Sequence, residues 1–167
     1  MPGSEDPQAS GAPRLVPQRV SALRAVLWGG LTCGAMDITA ALLVYGAFGL
    51  RPQRLLQGIA GGILGPRTYD GGHATALLGL LCHFCIAFAA AAVYAAASRR
   101  APFLVQHPVA TGPLYGVGVY FFMNRIVVPL SRATKYPFSV KMMVIGVVIH
   151  IFCVGLPISL TARRFAK

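Results

Sequence analysis

The chain has 167 residues, 56% of them hydrophobic and 11% charged, with 15 lysines and arginines against 4 acidic residues for a formal net charge of +11. Its mean hydropathy is +0.65. A soluble domain is about a quarter charged, so this chain has too little polar surface to cover a water-facing globule.

The basic residues gather at the ends of apolar stretches, where lipid head groups lie, and not on one polar face. Membrane lipid, not nucleic acid, is the expected partner.

Residues 1–22 are rich in Pro, Gly, Ser and Ala and are expected to form a disordered tail. The first apolar run follows that polar tail and is longer than a cleavable signal allows, so it is read as retained. Residues 23–167 form the membrane domain.

Crossing the hydrocarbon takes about 20 helical residues. Four segments reach that length: Ala25–Leu50, Ala74–Ala97, Val109–Leu130 and Met142–Ala162. The predicted fold is all-α, a polytopic bundle of four transmembrane helices. Between the first two lies "RPQRLLQGIAGGILGPRTYDGG" (51–72), whose apolar part, 55–64, is too short to span. It reads as a short helix lying in the interface, with a re-entrant turn as the alternative.

With the N-terminus inside, the cytoplasmic ends hold eight basic residues (Arg14, Arg19, Arg24, Arg99, Arg100, Arg163, Arg164, Lys167). The opposite ends hold six (Arg51, Arg54, Arg67, Arg132, Lys135, Lys141). The asymmetry places both termini in the cytoplasm. Gly30 and Gly34 are spaced for helix packing, as are Gly112 and Gly116; Gly79 and Gly146 each precede a histidine by one turn. Small residues let helix backbones approach in lipid.

Five polar residues fall near mid-membrane: Asp37, His83, Asn124, Arg125 and His150. Such residues are costly there and need partners or water. Asp37 and Arg125 lie on helices of the same direction with a depth difference of about 6 Å, within reach of an arginine side chain. An ion pair is one expectation. Snorkelling of Arg125 to the far interface, or stacking on Phe121 or Phe122, is the other.

His83 in "GLLCH" and His150 in "GVVIH" sit at similar depth. Two such imidazoles are candidate haem ligands. The plainer reading has each ring bonded to a backbone carbonyl, Asp37 or Asn124. "CHFC" (82–85) does not make a metal site, because His83 and Cys85 point about 160° apart on a helix. Paired carboxylates, nucleophile triads and phosphate loops are not evident, so no catalytic residues are assigned.

The stretches "LLQGIAGGILGP", "GGHATALLGLLCHFCIAFAAAAVYAAASRR", "HPVATGPLYGVGVYFFMN" and "VVPLS" resemble a family of small bacterial membrane proteins. More broadly, the topology is similar to that of YagU-type inner-membrane proteins. The resemblance runs from Trp28 to Pro157. It implies four spanning helices in a bacterial inner membrane and carries over no catalytic residue. That pattern places an apolar or aromatic residue after the asparagine. Arg125 departs from it, whereas His83 within "LLCHFCIAF" fits.

These readings lead to an integral inner-membrane protein, expected to be a structural or accessory component whose buried polar residues fix helix register. One alternative is a transport component for a small solute or ion, acting as a homo-oligomer. Another is a haem- or quinone-binding redox protein using His83 and His150. No metal is expected.

Overall fold

The computed structural model describes residues 22–135 and 137–166; the expected N-terminal tail lies outside them except for Ala22, which is already helical. Four long helices form the body: α1 (Ala22–Ala47), α3 (Gly72–Arg100), α5 (Pro108–Leu130) and α6 (Val140–Arg164). Each is long and apolar enough to cross a bilayer. A shorter helix, α2 (Pro52–Leu64), and a 3-10 turn (Gly65–Asp70) join α1 to α3. One further turn of helix, α4 (Phe103–Gln106), precedes α5.

The helix limits differ from the apolar runs for local reasons. The run from Ala25 continues to Leu50, but Gly49 at φ +83° ends α1 and Leu50 N–H closes the cap on the Tyr45 carbonyl at 3.0 Å. Helix α3 instead continues through Arg99 and Arg100, whose charges complement its C-terminal dipole.

Neighbouring spans run antiparallel. Gly30 of α1 lies against Phe88 of α3, and Gly34 against Phe84 and Ala87. Gly112 of α5 lies against Gly155 and Ser159 of α6, Gly116 against the His150 backbone, and Gly146 against the Tyr120 ring. Helix α6 also packs on α1, through Gly29 against Ile158 and Thr161. The backbones therefore follow the order α3–α1–α6–α5.

The remaining edge, between α3 and α5, closes through long side chains instead. Tyr115 Oη donates to the Ala90 carbonyl at 2.7 Å, and Tyr94 Oη, which donates to the Leu104 carbonyl of α4 at 2.9 Å, also lies 2.9 Å from Thr111 Oγ1 of α5. The two rings meet edge to face, with centroids 5.0 Å apart. Tyrosines spanning where backbones do not touch leave space beyond them.

The interior is built of small residues, among them Ala25, Cys33, Ala87, Ala91, Ala95 and Ala162, packed around Tyr94 and Ile158. Large apolar side chains point outward, as at Leu43 (70% exposed), Leu114 (73%) and Leu130 (83%). A water-soluble globule places its large apolar residues the other way. Small interiors with apolar exteriors suit helices that associate by close packing in lipid.

Helix α2 is amphipathic and packs onto the first half of α3. Pro52 sits at its first turn, where a missing N–H costs nothing. Gly65, at φ +66°, turns the chain back. Gln57 is buried and fixes the return: its Nε2 donates to the Gly72 carbonyl at 3.0 Å and to Thr75 Oγ1 at 3.2 Å. Thr68 Oγ1 donates to the Gln57 carbonyl at 2.8 Å. The far end of α2 meets the α5–α6 loop, where Arg132 N–H donates to the Gly62 carbonyl at 3.0 Å.

Candidate functional site

At the α3–α5 edge of the bundle is a half-open cavity of about 240 Å³, at whose mouth Ile86 and Asn124 are exposed. Each spanning helix gives it one polar residue: Asp37 from α1, His83 from α3, Asn124 from α5 and His150 from α6. The other walls are apolar, with Ile86, Val119, Met123 and Val154 from the spans and Ile59 from α2. Arg125 is not among the lining residues.

The hydrogen bonds define what each polar group has left. His83 Nε2 lies 2.9 Å from the Gly34 carbonyl of α1. A carbonyl only accepts, so Nε2 carries the proton and, in the neutral ring, Nδ1 keeps a lone pair. His150 Nδ1 lies 2.9 Å from the Gly146 carbonyl of its own helix. That ring therefore has Nε2 free, and it is held edge-on by Tyr120 with centroids 5.3 Å apart. The two histidines bond to backbone, and only the His83 bond joins two helices.

Asn124 Nδ2 donates to the Tyr120 carbonyl at 3.0 Å, one turn back, which leaves Oδ1 and the second N–H available. Asp37 is half-buried, and among the described residues its carboxylate has no hydrogen-bond or ion-pair partner. Among the described residues, every fully enclosed side-chain nitrogen or oxygen does have a partner. The Asp37 oxygens are thus reachable, not sealed.

The expected Asp37–Arg125 ion pair is not formed. Arg125 is exposed, and its guanidinium carbon sits 6.0 Å from the ring centroid of Phe138, in the loop before α6. It turns toward the loop that precedes α6. The stacking partner is Phe138 and neither Phe121 nor Phe122.

Two features here were not read from the sequence. Residues Met123–Val127 and His150–Gly155 are π-helical. Val128 N–H reaches back five residues to the Met123 carbonyl, and Leu156 N–H reaches the Ile151 carbonyl. Each bulge ends just before a proline, Pro129 or Pro157. Proline has no N–H and its ring collides with the carbonyl four residues earlier, so the helix widens ahead of it.

The Asn124 carbonyl accordingly loses both usual donors: Val128 N–H is committed to Met123, and residue 129 is proline. The Phe152 carbonyl loses its donors in the same way, to Ile151 and Pro157. The bulges thus place unpaired main-chain oxygens in mid-span, one of them at a cavity residue. Single-turn π-bulges are frequent at functional sites.

The residues do not fit a haem. His83 Nε2, the nitrogen a histidine usually offers iron, is committed to Gly34. The cavity is also smaller than the roughly 300–1,000 Å³ of pockets for drug-sized ligands, and a haem is larger still. Among the described residues no three His, Cys, Asp or Glu side chains group as metal ligands. Cys82 and Cys153 are half-buried, Cys85 is exposed, and all are free thiols.

Comparison with protein-family models, with curated proteins and with solved structures finds no match. The fold and its interior define the class: a helical bundle with four helices able to cross a bilayer and a polar cavity among them.

Proposed function

We propose that the protein is a multi-pass component of a bacterial inner membrane that binds a small solute in its mid-bilayer cavity and takes part in that solute's passage. One observation carries this: four spans each bring one polar side chain to the same cavity. The basic residues at the ends of the spans favour both termini in the cytoplasm. The site lies within one chain, so a homo-oligomer is not needed to complete it.

The other reading is that the polar residues only fix helix register. The His83–Gly34 bond between α3 and α1 favours it. The rest of the set does not serve that end, since His150 bonds within its own helix and Asp37 bonds to nothing among the described residues. A carboxylate retained without a partner, at a cost of about 2.5–3.5 kcal/mol in mid-bilayer, points to a role other than packing.

Thiol accessibility separates the two. Asn124→Cys in a background lacking the four native cysteines should react with a small water-borne methanethiosulfonate. Leu114→Cys, on the 73% exposed outer face of the same helix, should not. Equal inertness of both would mean a sealed interior and leave the register role standing.

A further inference from the structure

We infer that the solute is a compact organic ammonium: a cation rich in hydrogen-bond donors with a short apolar body. This rests on the reading of the cavity as a solute site and names the class of solute. With one exception, the second N–H of Asn124, every free valence at the polar residues of the cavity is an acceptor. His83 Nε2–H is used by Gly34, His150 Nδ1–H by Gly146 and one N–H of Asn124 Nδ2 by Tyr120. The thiol of Cys33 faces the Gly30 and Ala87 carbonyls at 3.6 and 3.9 Å. Besides that N–H, what remains is the Asp37 carboxylate, His83 Nδ1, His150 Nε2, and the Oδ1 and main-chain oxygens of Asn124.

The lining contains no lysine, arginine, serine, threonine or tyrosine. An anion would find a single neutral donor, the second N–H of Asn124, and would meet the charge of Asp37. A neutral acceptor would leave the carboxylate unpaired. A protonated amine supplies up to three donors and neutralises that charge.

The remaining wall selects among cations. Ile59, Ile86, Val119 and Met123 offer hydrocarbon and a polarisable thioether, which favour an alkyl group and do nothing for a bare metal ion. Hard cations take six or more oxygen ligands, and this cavity holds one carboxylate. Its volume of about 240 Å³ admits a four-carbon amine.

The test is equilibrium binding of radiolabelled n-butylammonium to the purified protein in lipid nanodiscs, with unlabelled n-butanol, butyrate and KCl as competitors. Saturable binding is expected, displaced by excess butylammonium and by none of the three competitors at equal concentration. Asp37→Asn should weaken it at least about tenfold, the loss of one charge-assisted bond. Ala90→Leu keeps the carboxylate and fills the cavity, so it should abolish binding even if Asp37→Asn proves unstable. Competition by butanol, or full binding by a folded Asp37→Asn protein, overturns the ammonium assignment. Competition by KCl overturns the organic class. If butylammonium fails while Asn124→Cys still reacts from water, the ammonium inference falls and the solute cavity stands; if Asn124→Cys is also inert, both fall.

Discussion

Gly79→Ala is the sharpest test of how α2 is held. A Cβ built on Gly79 falls on the carbonyl oxygen of Leu56, lies 2.7 Å from that carbonyl carbon, and lies 3.3 Å from the Ala60 nitrogen. All three atoms are backbone, so no side chain can swing aside. Ordinary contact begins near 3.4 Å, and the Leu56 oxygen is nearer still than the carbon at 2.7 Å, so α2 must retreat by more than about 0.7 Å. A gap of about 0.5–1 Å forfeits roughly a quarter to a half of the dispersion well of each contact it opens. The retreat also strains both bonds from Gln57 Nε2 to α3, at 3.0 and 3.2 Å. Overpacking of this kind costs about 1–3 kcal/mol.

Alanine also favours a helix over glycine by about 1 kcal/mol, which acts in the opposite sense. Gly118→Ala supplies the control, because a Cβ there meets nothing within 4 Å. In reversible unfolding from mixed micelles, Gly118→Ala should be neutral or up to about 1 kcal/mol more stable than wild type. Gly79→Ala should fall below that control by about 1–3 kcal/mol, and the amides of residues 52–64 should exchange faster. Equal stability of the two variants, with wild-type exchange in α2, would refute the packing argument.

Other substitutions probe separate joints. Gln57→Ala removes a 1% exposed amide that ties α2 to α3 and should cost about 1–3 kcal/mol in the same unfolding assay. Ser159→Ala removes a hydroxyl that donates to the Pro108 carbonyl at 2.9 Å across the α5–α6 interface; a loss near 0.6 kcal/mol is expected, since interhelical bonds in membranes are modest. Tyr94→Phe, which breaks the 2.9 Å bond to the Leu104 carbonyl, should cost about 1 kcal/mol and leave butylammonium binding intact, because Tyr94 does not line the cavity. Pro129→Ala returns an N–H that can pair with the Asn124 carbonyl; the protein should become more stable while its affinity for butylammonium falls, and an unchanged affinity would show that this oxygen takes no part.

The sequence made the four spans legible because hydropathy over about 20 residues is a long, averaged signal. Helix ends were less so, since one glycine or a pair of arginines decides them, as at Gly49 and Arg99–Arg100. The polar residues were easy to single out against an apolar background, but their pairing was not. Depth along a helix brings Asp37 and Arg125 within reach, yet rotation about the axis sends Arg125 toward Phe138. Arg125 lies within the π-bulge at Met123–Val127, an inserted residue that shifts every side chain after it by about 100° relative to a regular helix. The signal was present in Pro129 and Pro157, which an apolar window counts only as breaks.

The two bulges also explain why a cavity persists in so closely packed a bundle. Gly112 and Gly116 bring α5 against the α6 backbone at Gly155 and His150, which alone would close the interior. Pro129 and Pro157 prevent regular helices from continuing through Asn124 and His150. The widened turns hold those side chains at the cavity, across from α1 and α3, and free the Asn124 carbonyl beside them. The glycines set how near the helices come, and the prolines set where they do not fit. The polar space lies between those two constraints, at the one edge where tyrosine side chains, not backbones, make the contact.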